Sequence, residues 1–549
     1  MPESTIERLE SSRFPLALAA ILGAYLVVSI AYTIRLPLVM DEFQGARAVS
    51  DAGRGVPYRD YLPYKTVLGY YLQWPFLSIG ADLWTRMVAV KIAMAALTAA
   101  VLGAVCLRLR RWLDDAAILL ALAALVSHST FLERSAELRV DMPTALAGIL
   151  SLTALLAPAA GVAGLLSALA FCVSQKGVYY VVAGGVALLV AGSGARFERW
   201  RPSLRFWAGA AAGLGAYLAA WTAVAGPEPV LRATFVRPQR VALEHIYDIH
   251  AAFWTQTLER NPGFYAIAAA CLVLVLREGW RRGSWRMRLV GCYAVVLTVL
   301  AVAHRQPWPY FFVLWLPTLF VVVAVGLHLL NRKLFPRHRR LLAIVVVAVA
   351  VVLPLMRIPI VLRRDSTLQR NTVLLARQML GPSDRYFAAI AMIWDREQPV
   401  RELEWLDAPR LRRLQSSSAA DLEITLRELR SEAPIVILLN YRLRELPEIL
   451  RRHLRVNYAH WSDCVFVYAP VVTAKAFELD LSGAYLLRAN RAVMIDGRAT
   501  APGEVRRLAA GRHRADAPAP FRLQLIPENA PPPAPDRPCL RLFPNVYGF

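Results

Sequence analysis

Long apolar stretches alternate with short charged ones along the first two thirds of the chain. A helix crossing the ~30 Å hydrocarbon core of a bilayer needs roughly 20 consecutive apolar residues. Such runs fall at 14–36, 84–107, 115–131, 142–157, 161–174, 177–192, 205–226, 263–277, 289–304, 308–328 and 341–358, about eleven expected spans. Those between 142 and 174 are short. No small-residue cleavage site follows the first run, so it reads as an anchor rather than a cleaved signal peptide. Beyond 358 the pattern changes. Residues 386–394, 435–440 and 464–469 read as strands, and 411–414 with 421–431, and 446–454, as helices between them. From 477 to 526 the strands become short, with turn signals at Asp496-Gly497 and Pro502-Gly503. Pro531, Pro532, Pro533 and Pro535 mark an extended linker. The expected architecture is a polytopic α-helical membrane protein with a C-terminal soluble α/β plus small β domain on the outer face. Its parts are a membrane region over 1–358 with an outer loop at 37–83, an α/β domain over 359–472, and a β subdomain with a Pro-rich tail over 473–549.

Composition agrees and adds a question. Of 549 residues, 57% are hydrophobic and 19% charged, with 63 basic against 40 acidic residues and a net charge of +23. Mean hydropathy is +0.40. An ordinary soluble chain is about 25% charged. The basic excess could bind nucleic acid or sort loops across a membrane, and its distribution decides. Arg108, Arg110 and Arg111 form one cluster; Arg196, Arg199, Arg201 and Arg205 a second. Arg277, Arg281, Arg282, Arg286 and Arg288 form a third, and Arg332, Lys333, Arg337, Arg339 and Arg340 a fourth. Each follows an even-numbered span, so a cytoplasmic N-terminus puts all four inside, as the positive-inside rule requires. The C-terminal region is then expected outside. Arginines dealt out between apolar spans argue against nucleic acid, which is met by one basic face.

Four of the six cysteines, Cys106, Cys172, Cys271 and Cys292, lie in or beside spans and read as packing residues. Cys464 and Cys539 fall in the outer region, where a disulfide is possible. His245 and His250 with Glu244 do not have zinc spacing and read as ordinary loop residues.

Charges at the outer edge of a membrane region are costly and mark functional sites. Asp41 and Glu42 directly follow the first span. An aromatic stretch then carries Tyr58, Arg59, Tyr64 and Lys65. The next outer loop holds Glu133, Arg134, Glu137, Arg139 and Asp141. Lys176 occupies a third turn, and Arg305 with Tyr310 a fourth. Sugar transfer from a lipid-linked phosphate suits this set. The acceptor hydroxyl needs one carboxylate base. A phosphate leaving group needs cations rather than a proton donor. Glycosidases, whose leaving alcohol must be protonated, need two carboxylates.

At these residues the chain resembles the GT-C glycosyltransferases, in particular the branch of dolichyl-phosphate-mannose protein mannosyltransferases and the bacterial lipid A aminoarabinose transferase. Asp41-Glu42 matches the family's Asp-Glu pair after the first span, and Gly55 to Asp60 its Gly-x-x-Tyr-x-Asp stretch. Lys65 through Tyr71 matches part of its Lys-Pro-Pro-Leu-x-x-Tyr motif, with Thr66-Val67 where prolines usually stand. Asp141 matches the second-loop aspartate, Gln175-Lys176-Gly177 a Thr-Lys-Gly turn, and Arg305, Tyr310 and Pro317 an Arg-to-Tyr-to-Pro pattern. The resemblance covers about 1–330 and implies that Asp41 is the base, supported by Glu42 and Asp141. Lys65, Lys176, Arg305 and Arg139 would then hold the donor phosphate, and Tyr58, Arg59, Tyr64 and Tyr310 substrate. No cofactor is required by the chemistry; a divalent cation, if any, would sit on Asp41, Glu42 and Asp141. Implied partners are a polyprenyl-phosphate sugar donor, a lipid, glycan or protein acceptor, and membrane lipids.

Two other readings compete. A flippase for a lipid-linked glycan is expected to carry charges at the bilayer midplane and internal repeats. A membrane-anchored envelope-assembly protein would act through residues 359–549. Only five of the 63 basic residues are lysine, an arginine bias of GC-rich bacterial genomes, which makes a bacterial inner membrane the expected location.

Overall fold

The structure is a computed structural model, and it describes residues 3–192, 196–243, 250–334, 338–400, 403–517 and 519–543. The apolar runs fold as helices. Arg13–Arg35, Leu83–Leu109, Trp200–Ala225, Pro262–Arg281, Trp285–Ala303 and Arg339–Leu362 are long and apolar enough to cross a membrane. Asp115–Ser127, Asp141–Leu156, Ala160–Val173, Gln175–Ala191 and Leu316–Arg332 are shorter apolar helices on the remaining runs. The chain is thus a multi-pass helical membrane protein, as its hydropathy predicts. At 1.5 Å per residue, Asp141–Leu156 rises only about 24 Å, less than the hydrocarbon core. Nearly all its residues are buried in protein, so its ends need not meet lipid. Its neighbour Ala160–Val173 packs against the helix Arg196–Ala225 at small residues. A Cβ on Gly164 would stand 1.9 Å from the Phe206 carbonyl oxygen, so only glycine permits this approach.

The chain divides into two compact units. The helical unit comprises 1–36, 51–79 and 87–364; the second comprises 37–50, 80–86 and 365–549. Within the helical unit, the arginine-rich loops are tied to neighbouring helix ends. Asp114 accepts from Arg332 Nε at 3.0 Å and pairs with His328 at 3.0 Å. Arg110 pairs with Asp115 at 2.9 Å and lies over the Phe14 ring at 4.7 Å. Arg286 Nε donates to the Leu156 carbonyl at 3.3 Å. The first and fourth basic clusters thus meet at Asp114 and Asp115, and the third reaches the end at which Asp141–Leu156 finishes.

In the second unit, β1 (Tyr386–Phe387), β2 (Val436–Leu438), β3 (Tyr458–Ser462) and β4 (Val465–Tyr468) form a mixed sheet in the order β1-β2-β4-β3. β1 runs parallel to β2, with Tyr386 beside Val436. The strand expected over 386–394 ends at Phe387. Ala389 takes a φ of 55°, which breaks the pleat. The Ala388 and Ala389 amides donate to Gln398 Oε1, and the Ile393 amide to the Tyr386 hydroxyl. Side chains thus replace a ladder in a buried segment. The helices expected beside this sheet form at Ala408–Gln415, Ala419–Ser431 and Glu448–Asn457.

The β region holds β5 (Val471–Val472), β6 (Ala476–Leu479), β7 (Gly483–Arg488), β8 (Val493–Ile495), β9 (Arg498–Thr500), β10 (Val505–Leu508), β11 (Gly511–Asp516) and β12 (Phe521–Ile526). Its sheets run β10-β7-β12-β5 and β6-β11-β8-β9. The Asp496-Gly497 signal closes the β8–β9 hairpin with positive φ at both residues, 47° and 76°, as a primed turn requires. One apolar core runs through both regions, from Phe387, Ile437 and Leu450 to Tyr485, Ile495 and Leu523. Cys464 and Cys539 form a disulfide, which pins the Pro-rich tail beside β4. The strap 37–50 is fastened within this unit. Leu38 exchanges two hydrogen bonds with the Gln369 side chain, at 2.8 and 3.1 Å. Arg47 donates to the Trp394 and Arg396 carbonyls.

His453 is buried and accepts from Asn457 Nδ2 at 3.0 Å, so its imidazole is neutral. Burial, with the Arg430 charge adding to it, pushes its pKa from 6.5 down to about 4. Between these values the unfolded chain binds a proton that the folded chain does not, so stability rises with pH across that window. This contribution is intact above pH 6.5, falls by about 2 kcal/mol at pH 5, and is lost toward pH 4. His453→Gln is expected to flatten the acid side of the stability profile. Thermal midpoints of wild type and variant at pH 7.5 and 5 check it, and equal acid sensitivity would refute it.

Candidate functional site

The segment 55–67 is fastened by its own hydrogen bonds and by contacts to neighbouring helices. The Val56 amide donates to Asp60 Oδ2 at 2.7 Å, and the Tyr58 amide to the Tyr61 carbonyl at 2.8 Å. Arg59 pairs with Asp60 on the surface at 2.8 Å. That hydrogen-bonded guanidinium keeps the Asp60 pKa below the ordinary carboxylate range. Tyr58 is buried with a φ of 67°, an unfavourable conformation for an aromatic residue. It is anchored by a hydroxyl contact to Tyr217 and an edge-on contact with Trp221 at 5.7 Å. Tyr64 is exposed, with the Arg237 guanidinium 5.5 Å from its ring centre. Thr66, which stands where the GT-C pattern has proline, donates its hydroxyl to the Phe171 carbonyl at 2.8 Å. Gly69 then brings the segment against Val140; a Cβ there would lie 2.5 Å from the valine side chain.

These fastenings deliver Lys65 to Asp141. Asp141 opens the helix Asp141–Leu156 and is 1% exposed. Lys176 Nζ donates to its Oδ1 at 2.7 Å. Arg139 Nε donates to Oδ2 at 3.0 Å, and Lys65 Nζ stands 3.8 Å from the same oxygen. Three cations from three segments converge on one carboxylate. Arg139 also stacks on Tyr310, its guanidinium carbon 3.3 Å from the ring centre, and Lys176 lies 4.9 Å from that ring. Gln73 Nε2 donates to the Arg139 carbonyl at 2.8 Å, fixing the loop from beneath. Lys65, Arg139, Asp141, Lys176 and Tyr310 are therefore one constellation.

Arg305 lies exposed in the segment leading to the turn Pro309–Leu314. The neighbouring His304 packs among aromatic side chains. It bonds the Tyr179 hydroxyl at 2.8 Å and stacks on Phe311 at 4.1 Å. A second charge cluster joins residues of the Asp141 loop to two arginines that the sequence did not connect with it. Glu133 meets Arg134 at 3.5 Å, Arg260 at 3.7 Å and Arg364 at 4.0 Å. Arg134 also pairs with Glu137 at 2.6 Å. Arg260 and Arg364 come from a distant helix end and from the residue closing the helical unit, so no local motif announces them.

Asp41 and Glu42 belong to the second unit, in the first turn of the helix Met40–Arg54. Glu42 is buried, and its Oε2 accepts from the Val39 amide at 3.0 Å. That is the reach-back half of a capping box. Asp41 is half-buried, and carboxylates in a first turn face the positive helix end.

Among the described residues no group of three or more His, Cys, Asp or Glu could hold a metal ion. Both Asp141 oxygens are engaged by cations, whose charge opposes a divalent ion. Glu244 and His245 lie outside the described residues.

No protein-family model and no curated protein sequence matches the chain. Solved structures do. At 10–13% identity the likeness is one of fold. ArnT from Cupriavidus metallidurans in the apo state matches with a TM-score of 0.54 at 13% identity, over 82% of this chain and 97% of that one. The Archaeoglobus fulgidus oligosaccharyltransferase in the apo form matches with a TM-score of 0.53 at 10% identity, over 89% and 74%. The archaeal oligosaccharyltransferase AglB from Archaeoglobus fulgidus, solved with an inhibitory peptide and a dolichol-phosphate, matches at 0.52 and 10% identity, over 89% and 74%.

Removing one member of a buried ion cluster leaves the others uncompensated, at about 3–5 kcal/mol. Asp141→Asn is expected to lower the thermal midpoint and to make it rise more steeply with added inorganic phosphate than in wild type, because an anion can replace the lost charge. A midpoint unaffected by both the substitution and phosphate would contradict the cluster's role.

Proposed function

We propose that the protein is a glycosyltransferase that moves a sugar from a polyprenyl-phosphate donor to an acceptor on the outer side of a bacterial inner membrane. The observation that carries the reading is the convergence of Lys65, Arg139 and Lys176 on Asp141. Three cations held by one buried carboxylate make a locus of positive potential that favours a phosphate. Arginine supplies a forked donor and the lysines compact charges. The fold supports the same reading, because a polyprenyl tail has to remain in lipid while its phosphate is handled at the surface.

In the proposed reaction Asp41 accepts the proton of the acceptor hydroxyl. The acceptor oxygen forms a bond to the sugar anomeric carbon, on the face opposite the phosphate. The bond from that carbon to the phosphate oxygen breaks, and the electron pair leaves with polyprenyl phosphate onto Lys65, Lys176 and Arg139, with Arg305 in a lesser role. One displacement inverts the anomeric centre. The assignment of Asp41 rests on its order in the chain, its resemblance to the GT-C pattern and its half-exposed carboxylate at a helix start. Glu42 supports it by shaping that helix start. Tyr58, Arg59, Tyr64 and Tyr310 are proposed to line the path of the substrate. The chemistry asks no metal of these residues. The sugar is proposed to be a hexose or pentose. The C-terminal unit is proposed to be extracytoplasmic; the Cys464–Cys539 disulfide supports this, since such bonds persist in oxidising compartments.

Asp41→Asn is expected to lower transfer by at least about a hundredfold, the usual worth of a positioned base, with expression and thermal midpoint retained. Normal product formation by purified variant, read by mass spectrometry of envelope lipids and glycans, would defeat the assignment. Lys65→Ala is expected to weaken donor binding by about tenfold, as loss of a charged hydrogen bond does. An unchanged apparent donor affinity would remove Lys65 from the phosphate clamp.

A further inference from the structure

The second unit contains a cavity of about 270 Å³, outside the Asp141 constellation. It is lined by Asn440, Tyr441, Arg444, Arg541, Leu542 and Phe543. Two of its walls touch the helix that begins at Met40. The Tyr441 hydroxyl contacts Met40 Sδ at 2.6 Å. Phe543 meets Phe43 edge-on at 6.0 Å and Tyr441 at 5.8 Å. The cavity therefore lies against the turn that carries Asp41. The disulfide at Cys539 holds the segment bearing Arg541 and Phe543 beside β4.

The chemistry of the lining is specific. Asn440 is committed to the fold. Its Nδ2 donates to the Ala388 and Leu438 carbonyls, and its Oδ1 accepts from the Arg442 amide. The rest of the lining is the apolar side chains of Leu439 and Leu542, the rings of Tyr441 and Phe543, and, at its exposed rim, Arg444 and Arg541. Among the described residues lining the cavity, none is acidic. Arginines bind carboxylate and phosphate through paired N–H donors, and flat rings cover the apolar face of a sugar. The volume is near the lower bound of ligand pockets, about 300 Å³. It suits one ring with one anionic group and is too small for an extended glycan.

We infer that this cavity is an acceptor subsite that holds a single sugar ring, or a headgroup of that size, bearing a phosphate or carboxylate. The inference rests on the transferase reading above, and it adds the charge and size of the acceptor group beside Asp41. Arg444 and Arg541 clamp the anion, and Tyr441 and Phe543 cover the ring.

The test is titration calorimetry of the full chain in nanodiscs of uncharged lipid. It is made in a Lys65→Ala background so that the proposed donor cations contribute less. The probes are glucose 6-phosphate, glucuronate and glucose. The Lys65→Ala protein is expected to bind at least one anionic probe in preference to glucose, and the preferred anion identifies phosphate or carboxylate as the group. Adding Arg444→Gln and Arg541→Gln is expected to weaken that binding by at least tenfold, and Arg541→Lys alone to retain most of it. Retention by the lysine variant separates lost charge from lost folding. Equal binding by the triple variant, equal binding of glucose, or no binding of any probe would overturn the inference. The two readings fail separately. Anion binding that depends on Arg444 and Arg541 in a protein without transferase activity removes the transferase. Transfer accompanied by unchanged probe binding in the triple variant removes the subsite.

Discussion

A carboxylate that is 1% exposed at the end of a short helix must be compensated, and the helical unit is arranged around how that is done. Asp141 draws Lys65, Arg139 and Lys176 to one point. Each arrives on a different segment, so the ion cluster also sets the path of the loops. Gly69 fits close to Val140, Thr66 holds the Phe171 carbonyl, and Tyr310 lies under Arg139. Desolvating four charged groups is expensive. An ion cluster with more cations than carboxylates is a poor way to gain stability and a good way to prepare for an anion.

The neighbouring Glu133 cluster sharpens the contrast. It too gathers three cations on one buried carboxylate, but all three are arginines. Guanidinium is weakly hydrated and keeps several fixed hydrogen bonds, which suits a permanent structural network. Ammonium is a compact, strongly hydrated charge that can turn toward a new partner. Of the five lysines in the sequence, two point at Asp141. In a chain that otherwise uses arginine almost everywhere, both cations that reach Asp141 from other segments are lysine.

Much of this was legible in the sequence because it is local. Apolar runs gave the helices, and Asp496-Gly497 gave its hairpin. Lys65, Asp141, Lys176 and Tyr310 could be grouped by topology alone, since alternate loops share a face. Residues joined only by packing could not be read. Arg260 and Arg364 reach Glu133 from far along the chain. The 386–394 segment has strand-like residues, yet Gln398 and Tyr386 satisfy its amides in another conformation. Nor does any periodicity reveal that 37–50 packs with residues beyond 365. That association depends on Gln369 and Arg47 reaching backbone groups far away in sequence.

The basic residues of the helical unit include two different populations. At one end of the helical unit Arg110, Arg286 and Arg332 lie at helix termini, joined to Asp115, the Leu156 carbonyl and Asp114. Cations at helix C-termini and in short loops are inexpensive, and their value is topological. At the other end the cations are less exposed and are aimed at two buried carboxylates, Asp141 and Glu133. The helix Asp141–Leu156 connects the two, with Asp141 at its start and the Arg286 contact at its finish. Placing charge where water solvates it costs little and implies little about chemistry. Placing Lys65 and Lys176 beside a desolvated Asp141 costs much more, so this is the placement that function has to explain.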